Sequence, residues 1–167
     1  WRGDLMRLKS DNRAQANSEL YVATLEHVAP EATFGLTYID VTDIDERYAS
    51  PIQLDRKDMK TYSLRGTGNA GVENLFLSGE YAWQDKQAGP EKAWYAEAGY
   101  TFAELPWAPS LTYRYTRYSK GWDALFTGLS TGYGTWFQGE VAANYAGPFN
   151  SNTGVHHLGL VAKRAVD

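Results

Sequence analysis

The chain has 167 residues with 20 acidic against 16 basic side chains and no cysteine, enough for one domain and too weakly charged for any general attraction to nucleic acid. No apolar run approaches the ~20 residues of a spanning helix, which excludes helical membrane insertion. A mean hydropathy of −0.49 does not exclude a transmembrane barrel, because only alternate residues of its strands meet lipid. Leu, Ile, Val and Met are sparse beside Tyr, Trp, Gly, Ala and Thr, a usage that favours strands over a helical core.

Residues 1–9 alternate loosely, as the end of a strand does, and the polar residues 10–18 read as an exposed loop. Arg2-Gly3-Asp4 matches an adhesion tripeptide, but with three letters specified chance is the better account. Residues 19–28 form the first complete strand, with Tyr21, Ala23 and Leu25 opposed to Thr24 and Glu26. A turn at Ala29-Pro30-Glu31 leads to a strand over 32–42, where Phe34, Leu36 and Tyr38 oppose Thr33, Gly35 and Thr37.

A long charged connection over 43–58 precedes a strand over 59–66, a Gly-rich turn and a strand over 74–84. In the latter, Leu75, Leu77, Gly79, Tyr81 and Trp83 oppose Phe76, Ser78, Glu80 and Ala82. Asp43, Asp45 and Glu46 offer hard oxygens to Ca²⁺ without the spacing of a calcium motif, so a solvated charge run is the plainer reading. Gly66-Thr67-Gly68-Asn69-Ala70-Gly71 fits a dinucleotide pattern, but a strand follows it instead of the helix that chemistry needs. A hairpin turn is the better reading.

A polar loop over 85–91 leads to a strand over 92–103, with Trp94, Ala96, Ala98, Tyr100 and Phe102 on its apolar side. The chain is then expected to centre on a hairpin spanning 110–145, whose strands are 111–118 and 135–145. In the second, Phe137, Val141 and Tyr145 oppose Gln138, Glu140 and Asn144. A last strand over 153–163 sets Leu158, Leu160 and Ala162 against Gly159, Val161 and Lys163.

Connections alternate between short turns and longer, charged or Gly-rich loops, the arrangement of periplasmic turns and extracellular loops in outer-membrane barrels. Aromatics gather in the end thirds of the strands, at Tyr21, Tyr38, Tyr62, Trp83, Trp94, Tyr100, Phe102, Tyr113, Tyr118 and Tyr145, as two interfacial girdles would. The fold expected is an all-β, antiparallel, up-and-down transmembrane barrel of which about eight strands are present. The first residue, Trp1, and the ending Arg164-Ala165-Val166-Asp167 suggest a segment cut from a larger barrel at both ends.

Tyr113-Arg114-Tyr115, then Trp122 to Gly128, Gly134 to Glu140 and Asn150-Ser151-Asn152, resemble the C-terminal part of the alginate export family of outer-membrane porins. The resemblance implies a large single-chain barrel in the bacterial outer membrane with an Arg-rich pore for polyanions. Ser119-Lys120-Gly121 stands where that family carries an acidic stretch, and the strands here carry at least as many inward acids as bases. An outer-membrane channel follows from the resemblance, with anionic saccharides as one candidate solute.

If the apolar face meets lipid, the opposite face lines water, and Glu26, Arg65, Glu80, Glu97, Arg114, Glu140 and Lys163 become the selectivity elements. Strand neighbours are expected to set Arg114 between Glu97 and Glu140, and Arg65 beside Glu80. The loop over 119–134, with Trp122, Asp123 and Phe126, could fold inward as a constriction. Such a channel passes small polar or charged solutes, needs no cofactor or metal, does no catalysis, and has membrane lipid or lipopolysaccharide as its surroundings.

A soluble barrel with the charged face outward and an apolar ligand inside produces the same alternation. A barrel hydrolase would use His156 or His157 with Ser151 and the neighbouring asparagines. Adjacent strand residues face opposite ways, so only one of the two histidines can serve any one site.

Overall fold

A computed structural model describes residues 1–9, 18–44, 55–123 and 152–162. Eight strands run in chain order: β1 (Arg2–Lys9), β2 (Ser18–Val28), β3 (Ala32–Ile44), β4 (Lys60–Gly68), β5 (Leu75–Asp85), β6 (Glu91–Thr101), β7 (Ser110–Tyr118) and β8 (Gly154–Val161). Each pairs antiparallel with the next, giving one up-and-down sheet in the order β1 to β8. The sheet is not closed, since among the described residues β1 and β8 each pair along one edge only. Among these residues no helix is long and apolar enough to cross a membrane.

The expected hairpin between 111–118 and 135–145 is overturned. A strand has two edges, and those of β7 are taken by β6 and β8, with Leu111 opposite Leu160 and Arg114 opposite His157. No edge is left for 135–145, which lies outside the described residues. Period-two alternation says that a segment belongs in a sheet, not which neighbour it takes. Residues 2–9 form strand β1, as the alternation suggests, with Arg2 opposite Glu26 and Lys9 opposite Glu19.

Local chemistry accounts for the turns. At the β2–β3 turn the Ala29 N–H donates to Ala32 O at 2.8 Å, around a proline that needs no partner for a missing N–H. Between β4 and β5, Asn69 Oδ1 accepts from the Gly71 N–H at 3.0 Å, and Gly71 takes φ +73°, a conformation glycine enters without steric cost. The Gly66-to-Gly71 stretch is therefore a hairpin entry, and β5 follows it.

The expected length asymmetry holds at some connections and fails at others. The β5–β6 connection spans only residues 86–90, shorter than the β6–β7 connection over 102–109 on the opposite rim.

The two faces differ in exposure, strand by strand. In β3, Gly35, Thr37, Ile39 and Val41 are buried, while Phe34 and Leu36 on the other face are exposed. The same alternation carries Thr61, Ser63, Glu80, Ala82, Gln84, Ala93, Tyr95, Thr116 and Tyr118 to the buried face. The sheet therefore curls around its polar side. Flat strands β4 and β7 would stand roughly 14 Å apart at ~4.8 Å per neighbour. Yet Arg56, just before β4, bonds Asp123, beyond β7, at 2.5 Å.

The loop-end half of this concave face is filled. Val41, Ile44 and Met59 pack with Leu20, and Ala93 and Tyr118 pack with Trp122 and Val155. Met59 is 0% exposed and Tyr118 1%, and each such side chain contributes about 1.5–3 kcal/mol by leaving water. Tyr118 thus belongs to the interior and not to an interfacial girdle.

Candidate functional site

The turn-end half of the concave face is polar, and here the structure gathers most of the expected pore-lining residues. Register sets Glu97 opposite Arg114 and Arg65 opposite Glu80. Arg114 donates to Glu97 Oε2 through Nε at 2.9 Å and again through Nη2, and its guanidinium lies 4.5 Å from the centre of the Tyr95 ring. With side chains only 15% and 12% exposed, this pair is shielded enough for both hydrogen bonds to count.

Arg65 behaves differently from what its register suggests. Its guanidinium passes over β3, giving a hydrogen bond to Thr37 Oγ1 at 3.1 Å and an ion pair to Glu26 Oε2 at 3.2 Å on β2. Glu80 accepts from Ser63 Oγ at 2.5 Å. Arg114 faces His157 rather than Glu140, because β8 and not 135–145 lies beside it. Glu140, Lys163 and Phe126 lie outside the described residues.

The two described residues of the expected constriction, Trp122 and Asp123, do turn over the concave face. Asp123 is held at three points. Its carboxylate accepts from Arg56 Nε at 2.5 Å and Nη2 at 2.8 Å, its N–H donates to Gln84 Oε1 at 3.0 Å, and its carbonyl accepts from Gln84 Nε2 at 2.7 Å.

The exit from β7 is fixed as well, since Ser119 Oγ donates to Glu91 and accepts from the Lys92 N–H at 2.8 Å. Beside this knot Lys86 Nζ donates to Asp55 Oδ2 at 2.6 Å, tying the β5–β6 turn to the segment before β4. Arg56, Asp55 and Lys86 carried no sequence signal, because charged loop residues read as solvated. Gln84 was legible only as a polar-face residue.

The convex face is the reverse of the concave one. Leu36 is 51% exposed, Leu77 36% and Ala98 is exposed as well, so none of the three packs into a dry centre. Val141, expected beside them, lies outside the described residues. Tyr38, Tyr62 and Trp83 form one row across β3, β4 and β5 with ring centres 5.1 Å apart at each step.

Two residues beyond that row the face becomes charged, at Asp40, Lys60 and Asp85, joined by Arg7, Glu19, Lys92 and Arg117 at the loop ends of their strands. From there to the turns, the convex positions of β3 to β7 carry no charged side chain. At ~3.3 Å per residue, Leu75 to Trp83 covers roughly 26 Å along β5, or about 20 Å vertically at a tilt near 40°.

His156 and His157 lie on opposite faces, as alternation requires. His156 bonds Tyr113 Oη at 2.7 Å on the apolar side, and no described serine touches it. Among the described residues no group of three or more His, Cys, Asp or Glu could hold a metal ion. Asp45 and Glu46 of the suggested calcium loop lie outside those residues. Comparison with family models, curated proteins and solved structures finds no match to the chain.

Proposed function

We propose that this sheet is part of a transmembrane β-barrel in the bacterial outer membrane, a channel that passively conducts small polar or charged solutes. The observation that carries the reading is the inversion of the sheet. Most leucines and aromatics of β3 to β7 face outward, the Arg65–Glu26 and Arg114–Glu97 pairs face inward, and the charged strand residues that face outward, the Arg7–Glu19 pair among them, are confined to the loop-end rim. A soluble barrel with an apolar ligand needs the opposite arrangement. The uncharged band, about 20 Å tall, covers most of the ~25 Å height that lipid requires of such barrels.

In this reading β1 and β8 are completed by further strands, and the concave face becomes the wall of a water-filled lumen. Glu26, Arg65, Glu80, Glu97 and Arg114 set the field that a passing solute meets, and the Trp122–Asp123 segment narrows the extracellular mouth. Tyr38, Tyr62 and Trp83 sit at the headgroup level, with membrane lipid or lipopolysaccharide against the charged rim. The resemblance to the alginate export family supports anionic saccharides as a solute class.

The test is reconstitution of the complete protein into planar bilayers. Discrete conductance steps with an ion preference that moves on Arg114→Glu are expected. A protein that stays in buffer without detergent and gives no steps would refute the reading.

A further inference from the structure

We infer that Gly35 is a selectivity-determining position, because its missing side chain is what lets Arg65 lie flat on the wall and reach Glu26. The geometry is independent of the channel reading; the consequence for ions rests on it. Arg65 and Gly35 are direct register partners, so the arginine must cross β3 at that residue to touch β2. A Cβ at position 35 would sit 2.7 Å from Arg65 Cζ and Nε and 2.9 Å from Nη2, separations that real Cβ atoms do not show.

The backbone at Gly35 is ordinary extended strand, without positive φ, so alanine is conformationally acceptable there. What must give is the far end of a flexible side chain. Adding one methyl group therefore leaves the sheet in place and lifts the guanidinium away from Glu26, out into the space the wall encloses.

The wild-type wall keeps this pair neutral and close to the backbone. With alanine at 35 the same two charges separate. The cation projects toward the solute path and the carboxylate stays behind, which narrows the passage and changes its field without changing net charge. Gly99 supplies the contrast, since a Cβ there would meet Thr112 Cγ2 at 2.7 Å and no charged group.

The test uses the complete protein in detergent and in bilayers. Reaction of Arg65 with phenylglyoxal, followed by mass spectrometry, is expected to speed up several-fold in Gly35→Ala and in Glu26→Gln, which frees the arginine without touching the backbone. It should be unchanged in Gly99→Ala.

In bilayers Gly35→Ala is expected to lower conductance about twofold, and Arg65→Ala added to it to restore the value. Unchanged reactivity in Gly35→Ala would overturn the positioning of Arg65 itself. Raised reactivity in a protein that conducts in no form would leave that positioning standing, and would overturn the selectivity role together with the channel.

Discussion

The two faces of β3 are made by one stretch of backbone and have opposite chemistry. Phe34, Leu36 and Tyr38 stand outward, while Thr33, Gly35 and Thr37 turn inward beneath the Arg65–Glu26 pair. In a water-soluble barrel the first set would be the core. Here the apolar set has no protein partner layer among the described residues, and the polar set is the one the sheet curls around. Exposure alone would mislead, because an exposed leucine is ordinary on many proteins. A whole face of them, ending at one charged rim, is what separates a lipid-facing surface from a scattered one.

That contrast can be broken most directly by putting charge on the outward face. Leu36→Arg is expected to destabilise the lipid-reconstituted protein by about 2–4 kcal/mol, read as a shift in its denaturant midpoint. The same change on a water-exposed sheet would cost little, so a negligible shift would remove the lipid assignment.

On the inward face the largest effect belongs to Arg114→Ala. It leaves the poorly exposed Glu97 without its two hydrogen bonds, at a cost of about 2 kcal/mol, and moves ion preference toward cations. Asp123→Ala removes the bidentate partner of Arg56 but keeps the backbone link to Gln84. We expect about 1 kcal/mol of destabilisation and noisier, larger conductance steps. Arg2→Gln, at a pair whose side chains are 74% and 44% exposed, should change stability by less than about 0.5 kcal/mol.

Much of this was legible because strand alternation is a local signal. Gly79-Glu80-Tyr81-Ala82-Trp83-Gln84 reports its two faces to anyone who reads every second residue, and β5 carries them, with Glu80, Ala82 and Gln84 buried and Tyr81 and Trp83 exposed. Partnership is not local. The strand beside β7 was misassigned because residues 135–145 alternate as convincingly as 154–161, and nothing in either stretch names its neighbour.

Side-chain reach was equally hidden. Register put Arg65 beside Glu80, yet a guanidinium on four rotatable bonds can cross a glycine to a carboxylate two strands away. The Asp123 knot was half legible. Its inward turn was expected from the loop's composition, whereas its anchors Arg56 and Gln84 come from segments distant in the chain.

The outer margins of β1 and β8 each carry a row of amide and carbonyl groups with no described partner. In hydrocarbon every such group left dry is penalised by several kcal/mol, so a sheet with two raw margins has no stable place inside a bilayer. On the channel reading, entry into the membrane and the sealing of these seams would be a single cooperative event. On that reading the sheet would stay out of hydrocarbon until both margins are paired.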